Sequence, residues 1–384
     1  MQLERKNFKN FDIPLVLISL ALIVFGVLMI GNATGNPTAS MDDGWLTVIA
    51  SMNRTQVMLT MLWVLVGTVA AGVVIYFDYH TYGEAKNYIY WGTVAMLGVV
   101  LAIGSTVNGS KSWLMGGSVQ PSEVAKLALI LVLSKTLSEK PEGIRTVKEL
   151  LRVLAMVGLP IALIIGQKDF GTMLVYVFIT GVLLFVSGTN WKLLLGLVGA
   201  GGILAVPTWF LVGDTQRTRI LTFIDPASAS DSQLYNVTQS ITAIGSGQMT
   251  GRGFFAEGSF CQLDYIPVKE SDFIFSITAE TLGFFGAGII IVLYLFLLVR
   301  LLVLSRRSFD RYGSYLIIGV MAFFAFHIFE NIGMNMGVMP VTGIPLPFLS
   351  YGGSNMVTNL IAIGLVQNVC MRRRYSIFRE GEVY

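Results

Sequence analysis

The stretch IPLVLISLALIVFGVLMIGN, residues 13–32, has no charged side chain and is long enough to cross the hydrocarbon core of a bilayer. Basic residues precede it, but it is longer than a typical signal-peptide core and further apolar runs follow, so we interpret it as a retained membrane helix. Comparable runs lie at 55–77, 86–107, 120–138, 150–166, 172–187, 190–212, 273–304, 313–338 and 354–371. The sequence therefore predicts an all-α polytopic membrane protein with about ten transmembrane helices.

The overall composition agrees with this prediction. Of 384 residues, 54% are apolar and 13% are charged, whereas a soluble domain has about 45–50% and about 25%. So few charges cannot cover a soluble core of this size, which excludes a free soluble enzyme. A net charge of +3 gives no indication of nucleic-acid binding. Two cysteines, Cys261 and Cys370, are too few for a disulfide framework or a structural metal site.

The distribution of lysine and arginine predicts the orientation. Ten helices place both termini on one side, and that side carries most of the basic residues, including Arg306, Arg307 and the arginines at 372–374. By the positive-inside rule both termini are cytoplasmic, and Cys261 and Cys370 lie on opposite sides and cannot pair. The loop at about 213–271, between helices seven and eight, then faces outward within a single membrane domain spanning 1–384. Loops this long usually carry function, and residues 235–244 are a candidate interfacial helix.

Glu123 and Lys126 are charged residues inside the fourth predicted span. Their spacing of three puts both on one helix face, and each charge is costly within a bilayer. One interpretation is an internal ion pair that holds neighbouring helices together. The other is a polar cavity in which Lys126 binds an anionic ligand. The sequence leaves both open.

Asp272 stands where the eighth predicted span begins. A carboxylate there suits an N-terminal helix cap, but one at the boundary between water and apolar surface can also act as a general base. Glu280 lies about 12 Å deeper along a continuous helix and must face protein or a cavity.

Several other polar residues are candidates for ligand binding. Lys168 and Asp169 form a tight turn between spans five and six, where they bind a ligand or merely solvate the turn. Arg217 and Arg219 lie at the beginning of the outer loop. Paired arginines suit bidentate phosphate binding. The other interpretation is that the two side chains are solvated at the surface or contact lipid headgroups.

Two further patterns predict structure rather than chemistry. The glycines around Ser246 lack the strand and the Lys-Ser/Thr ending of a nucleotide loop, so we expect a sharply turning re-entrant loop. His327, Glu330, Asn331 and Asn335 share one face of the ninth span, where interhelical hydrogen bonding is the better interpretation. With two histidines in the chain, a metal cluster is not expected.

Taken together, these segments resemble the SEDS family (shape, elongation, division and sporulation), the group of RodA and FtsW. The resemblance covers essentially the whole chain, and the proline-rich segment near residue 345 is more similar to RodA than to FtsW. The segments that carry it are Gln120-Pro121-Ser122-Glu123 with Lys126, Gln216-Arg217-Thr218-Arg219 to Asp225-Pro226, Ala243-Ile244-Gly245-Ser246-Gly247, Ser271-Asp272-Phe273-Ile274-Phe275 and residues 339–354.

The resemblance implies a peptidoglycan glycosyltransferase that polymerises lipid II at the outer face of the bacterial cytoplasmic membrane, together with a class B penicillin-binding protein. Asp272 then matches the catalytic aspartate. A base must take the acceptor proton and cations must stabilise the departing pyrophosphate. No cofactor is required by the sequence, although a divalent cation such as Mg²⁺ or Mn²⁺ could assist. The substrate-binding candidates are Lys126, Glu123, Arg217, Arg219, Lys111, Lys168, Asp169, Glu280 and Ser246.

Two positions depart from the family pattern. Ser112 stands where an arginine precedes Trp113 in the family, with Lys111 one place earlier, and Lys168 stands where a proline is expected. Two other functions fit the same sequence: a lipid II flippase, and a non-catalytic scaffold for a penicillin-binding protein. The scaffold leaves Asp272 and the cations unexplained.

Overall fold

The computed structural model describes residues 8–35, 52–107, 109–114, 119–211, 214–225 and 231–372. Ten long helices coincide with the ten predicted runs to within a few residues: α1 (Ile13–Ala33), α2 (Arg54–Tyr76), α4 (Lys86–Ile103), α5 (Pro121–Ser138), α6 (Val147–Gly166), α7 (Phe170–Val186), α8 (Trp191–Leu211), α11 (Ile274–Arg306), α12 (Arg311–Asn335) and α13 (Gly353–Met371). Among the described residues, six of these helices are long and apolar enough to cross a bilayer by length and composition, and two shorter apolar helices lie within α7 and α8. The predicted polytopic helical fold is confirmed.

The connections contain structure that the periodicity did not reveal. The long loop that was predicted to face outward holds two helices, α9 (Asp214–Ile224) and α10 (Asp231–Ser246), and α10 includes the predicted interfacial helix. A short helix, α3 (Tyr79–Glu84), joins α2 to α4. The predicted run 86–107 is too long, because α4 ends at Ile103 and an antiparallel hairpin follows, β1 (Ser105–Val107) and β2 (Ser110–Trp113). Gly104, with extended backbone angles, makes that change.

Helix α12 is the centre of the bundle. It packs against α5, α7, α11 and α13, and its polar residues His327, Asn331 and Asn335 are fully buried. The helix begins after Asp310, whose carboxylate accepts the Gly313 amide as an N-cap. Because α12 is enclosed by its neighbours, polar groups on it must bond to them, as the sequence predicted.

The glycine-rich segment after α10 turns sharply against a break in α11. At that break Gly283 has a φ of 68°, so α11 has two parts. A Cβ on Gly251 would lie 2.2 Å from the Thr281 carbonyl oxygen, so no side chain fits there. Main-chain amides of Arg252 and Gly253 donate to the carbonyls of Glu280 and Thr281 over 2.9 and 3.0 Å. The glycines therefore permit a close approach between this segment and the backbone of α11.

Polar contacts join the chain ends at one end of the bundle. Arg300 Nε donates to Asp12 Oδ1 over 3.0 Å, and Gln367 Nε2 donates to the Asp12 carbonyl over 2.8 Å. Arg372, just after α13, lies 3.2 Å from Asp78. The start of α1 therefore lies beside the end of α13. Cys261 and Cys370 are both buried and form no disulfide with each other.

Candidate active site

A cavity of about 200 Å³ lies at the opposite end of the bundle from Asp12. Its walls come from seven parts of the chain: the hairpin, the start of α5, the turn at the start of α7, α9, the segment before α11, the loop between α12 and α13, and the start of α13. The lining residues are Ser110, Ser112, Trp113, Gln120, Lys168, Asp169, Phe170, Gly171, Arg219, Val268, Ser271, Asp272, Thr342, Gly343, Pro345, Tyr351, Gly352, Gly353, Ser354 and Asn355.

Asp272 lines this cavity and does not cap α11. The N-cap residue of α11 is Phe273, and no side-chain cap bond is made by that residue. The Asp272 carboxylate instead accepts a hydrogen bond from the Ser271 hydroxyl over 2.9 Å. The capping interpretation of Asp272 is therefore wrong, because its carboxylate points into the cavity wall rather than to the helix amides.

Two asparagines of α12 hold the main chain at Asp272. Asn331 Nδ2 donates to the Asp272 carbonyl over 2.9 Å, and Asn335 Nδ2 donates to the same oxygen over 3.0 Å. Asn335 Oδ1 also accepts the Ser276 amide over 3.2 Å. A neighbouring helix thus supplies the cap for the first turn of α11, which leaves the Asp272 side chain available for chemistry.

Residues 339–354 pack against the segment at 270–272 that carries Asp272. Ser350 Oγ donates to the Ser271 carbonyl over 2.6 Å, and the Tyr351 amide donates to the Glu270 carbonyl over 2.8 Å. Gly343 has a φ of 76°, and a Cβ there would lie 3.3 Å from Asp272 Oδ2. The proline- and glycine-rich sequence therefore shapes a loop whose backbone passes next to the carboxylate.

Arg219 is the cation that faces Asp272. It extends from α9, and its Nη1 donates to the Thr342 carbonyl over 3.3 Å. Burial raises the pKa of Asp272 above its usual value, while the Ser271 hydroxyl and Arg219 lower it. Burial lowers the pKa of Arg219, and the charges of Asp272 and Asp169 oppose that effect. An aspartate with a raised pKa next to a cation is suited to act as a general base.

Asp169 and Lys168, in the turn before α7, also line the cavity. Asp169 caps α7 by accepting the Thr172 amide and hydroxyl over 3.1 and 2.9 Å, and it also accepts the Gln120 side chain over 3.1 Å. The carboxylate of Asp169 therefore mainly organises the wall. Lys168 has a φ of 59°, which proline cannot adopt. The departure at Lys168 thus changes the turn and adds a cation to the lining.

Glu123 and Lys126 are not among the residues that line the cavity. Both are buried, with Lys126 Nζ 2.7 Å from Glu123 Oε1 and 5.3 Å from the Phe323 ring centre. Lys126 Nζ also lies 3.1 Å from His327 Nε2, and His327 Nδ1 lies 3.2 Å from the Pro345 carbonyl. A neutral His327 that accepts from Lys126 and donates to Pro345 satisfies both contacts. The pair thus stands behind the wall and supports it through His327.

The hairpin separates Lys111 from Ser112. Neighbouring residues on a strand point to opposite faces, and Ser112 lines the cavity while Lys111 Nζ donates to the Ala102 carbonyl over 2.9 Å. Lys111 therefore does not replace the family arginine at the cavity. Arg217 is also outside the lining.

Glu280 and Ser246 belong to a second cluster under the outer loop. Glu280 accepts the amides of Phe260 and Cys261 over 2.7 and 3.1 Å, and Ser246 Oγ donates to it over 3.4 Å. Arg252 lies 3.8 Å away. The buried acid faces protein, as predicted, and it anchors the loop rather than lining the cavity.

Gln120, Trp113 and Tyr351 entered the sequence analysis only as parts of family motifs, with no role assigned to them. The supporting role of Asn331 and Asn335 was not predicted. The only available signal for the asparagines was their spacing of four on one helix face, which predicted bonding but not the partner. That partner comes from a segment about 60 residues away, which periodicity does not reveal.

The described residues include no group of three or more His, Cys, Asp or Glu side chains able to hold a metal ion. Asp169 and Asp272 are the carboxylates of the cavity lining, and Asp169 already accepts several hydrogen bonds. Mg²⁺ is often held by one or two carboxylates together with substrate phosphates. The described residues of the cavity therefore do not fit a resident metal centre.

The fold and the cavity define a polytopic membrane protein with a charged site at one end of its helical bundle. Residues 13–375 match the family FTSW_RODA_SPOVE, described as "Cell cycle protein". The chain belongs to this family, which is the one that the sequence motifs resembled.

Known proteins of the family align with almost the whole chain. The chain is 31% identical over 375 residues to the peptidoglycan glycosyltransferase MrdB of Escherichia coli K12, covering 95% of each chain. It is similar to a chain in the structure described as "Structural coordination of polymerization and crosslinking by a peptidoglycan synthase complex", with a TM-score of 0.78, 27% identity and coverage of 94% and 98%. For the rod shape determining protein RodA of Thermus thermophilus the TM-score is 0.69, with 25% identity and coverage of 95% and 98%. The predicted closeness to RodA is confirmed.

Proposed function

We propose that the chain is a peptidoglycan glycosyltransferase that polymerises lipid II into glycan strands for cell shape, with Asp272 as the general base. The names of its relatives support a glycosyltransferase of peptidoglycan synthesis. The single observation that carries the catalytic assignment is the position of Asp272: its side chain lines the charged cavity opposite Arg219, while Asn331 and Asn335 hold its main chain.

The proposed reaction is an inverting transfer. The Asp272 carboxylate takes the proton of the acceptor sugar hydroxyl, whose oxygen forms a bond to the anomeric carbon of the donor. The bond from that carbon to the pyrophosphate breaks, and the pyrophosphate leaves with the bonding electrons. Arg219 and Lys168 line the same cavity and stabilise the negative charge of the leaving group. No second carboxylate is needed, because the pyrophosphate leaves unprotonated.

The remaining candidates take supporting roles in this proposal. Glu123 and Lys126 position the loop at Pro345 through His327. Glu280 and Ser246 fix the outer loop. If Mg²⁺ or Mn²⁺ assists, the pyrophosphate itself must carry the ion, which would neutralise phosphate charge.

The orientation and the partner are also proposals. Basic residues near the end of the bundle that holds Asp12 support a cytoplasmic location for both termini, with the cavity at the outer face of the bacterial cytoplasmic membrane. A synthase complex among the related structures supports a partner that cross-links, here a class B penicillin-binding protein. A cysteine in place of exposed Thr242 on α10 should react with an impermeant thiol reagent in intact cells, and one in place of Ser308 should not; the reverse pattern contradicts this orientation.

One assay separates the polymerase from the two other functions. Purified chain with lipid II in detergent should produce glycan strands, since detergent micelles have no two sides between which a lipid can be flipped. A flippase would instead move lipid II across vesicle membranes without chain growth, and a scaffold would do neither. Absence of strands from wild-type chain, with and without its penicillin-binding partner, contradicts the proposal.

A further inference from the structure

A second cavity lies beside the first and is apolar where the first is polar. Its volume is about 240 Å³, and it is enclosed by α9, α10 and the segment that follows α12. Leu234, Val237 and Ile241 of α10 form one wall, and Pro340 and Val341 form another. A drug-sized ligand usually occupies about 300–1,000 Å³, so this cavity suits a short piece of apolar chain.

Arg219 lines both cavities. It is the charged member of the apolar cavity's described lining, and in the polar cavity it faces Asp272. A guanidinium at this junction suits a phosphate group that is attached to an apolar chain on one side and a sugar on the other. The two cavities therefore match the two halves of one amphiphilic molecule.

The apolar cavity is next to exposed apolar surface. Met336 and Val338, which flank its lining residue Gly337, are 49% and 59% exposed, and Phe223 is 43% exposed. Exposed apolar side chains at the end of a membrane helix contact the bilayer rather than water. An apolar chain can therefore enter this cavity sideways from the membrane.

Hydrogen bonds connect helix α10, which lines the apolar cavity, to the start of α11 and the end of α12. Ser240 of α10 donates to the Asn335 carbonyl over 2.8 Å and lies 2.5 Å from the Ser276 hydroxyl. Asn335 in turn donates to the Asp272 carbonyl. A chain of hydrogen bonds therefore links α10 to the main chain of the candidate general base.

We propose that the apolar cavity binds the first isoprene units of a polyprenyl-pyrophosphate-linked sugar, with Arg219 on its pyrophosphate. This assignment rests on the proposed function, because it places the lipid part of the proposed substrate. The sugar and the reacting carbon then lie in the polar cavity with Asp272, and the rest of the polyprenyl chain stays in the bilayer.

Photolabelling tests this site without turnover. The probe is undecaprenyl pyrophosphate that carries a diazirine on one of its first isoprene units, added to the purified full chain. We expect adducts within residues 234–241 or 337–341, competed by unlabelled undecaprenyl pyrophosphate. Val237→Trp, which fills the cavity, should lower labelling about tenfold, equivalent to about 1.4 kcal/mol of binding. Thr242→Trp adds the same bulk at an exposed position of α10 outside the lining and should label as wild type.

Val237→Ala enlarges the cavity and should retain labelling. This control shows whether any change at position 237 abolishes labelling, or only a side chain that fills the cavity. Adducts confined to other helices, unchanged labelling in Val237→Trp, loss of labelling in Val237→Ala, or equal competition by phosphatidylglycerol would overturn the site. A chain that labels as expected but makes no glycan contradicts the polymerase and leaves this site standing. A chain that makes glycan but is not labelled here contradicts this site alone.

Discussion

The Asn335 side chain links Asp272 to the start of α11. Its Nδ2 donates to the Asp272 carbonyl over 3.0 Å, and its Oδ1 accepts the Ser276 amide over 3.2 Å. Asn335 therefore satisfies a helix amide that an N-terminal aspartate often satisfies itself. Because Asn335 bonds to the Ser276 amide, the carboxylate of Asp272, which directly precedes the N-cap residue of α11, remains available to the cavity.

Asn335→Leu should lower kcat about tenfold or more, a loss of about 1.4 kcal/mol in transition-state stabilisation, because the Asp272 backbone loses one of its two holding bonds. The free energy of unfolding should fall by about 1–3 kcal/mol, since buried polar partners are left unsatisfied. Ser276→Ala keeps the bond to Asp272 and should lower kcat less. Steady-state kinetics and melting curves check this, and equal kcat values in the two variants would contradict the positioning role.

The pH profile depends on the contact between Arg219 and Asp272. Burial raises the pKa of Asp272 above 3.8 and Arg219 counteracts this. A general base works deprotonated, so polymerisation should fall as the pH drops through this pKa. Arg219→Gln removes the cation, raises the pKa further and should shift the acidic limb of kcat to higher pH. Lys168→Gln should slow the reaction without moving the limb. If the limb stays in place in Arg219→Gln, Asp272 is not the titrating base.

The buried pair Glu123 and Lys126 should contribute mainly to stability. Lys126→Met leaves Glu123 as an uncompensated buried charge, and breaking such a pair costs about 3–5 kcal/mol. Glu123→Gln should likewise lower the melting temperature, and the double variant should regain part of the loss. A Lys126→Met chain that melts as wild type but has a raised KM would favour direct substrate contact instead.

Lys168 tests the departure from the family pattern. Its φ of 59° and its amide, which donates to the Ile165 carbonyl over 2.9 Å, both exclude proline in the present turn. Lys168→Gly keeps the backbone and removes the cation, so it should fold normally and lose activity. Lys168→Pro should also lower the melting temperature. A proline variant as stable as the glycine variant would show that the turn rearranges freely.

The sequence predicted the fold well because bilayer thickness fixes the length of each apolar run. The ten long helices agree with the ten runs, and Glu123 with Lys126 formed the ion pair that their spacing suggested. The features that the sequence did not predict are either very short elements or contacts between distant parts of the chain. The hairpin at 105–113 is too short to produce a periodic pattern. Its first strand was included in the predicted helical run 86–107.

The candidate site was predicted in part. Asp272, Arg219, Lys168 and Asp169 meet in one cavity, although they are far apart in the chain. Motif resemblance, rather than periodicity, pointed to Asp272. The capping function of Asn335 was not predictable, since it requires knowing that the end of α12 meets the start of α11. Lys111 was misjudged as an available cation because strand alternation in the hairpin was unknown.

The central claim is that Asp272 is the general base, and Asp272→Asn tests it most directly. The amide keeps the size and shape of the side chain and removes its basicity. With purified chain and lipid II, the variant should form no glycan strands while its melting temperature stays close to wild type. Glycan synthesis by Asp272→Asn at a rate near wild type would contradict the claim.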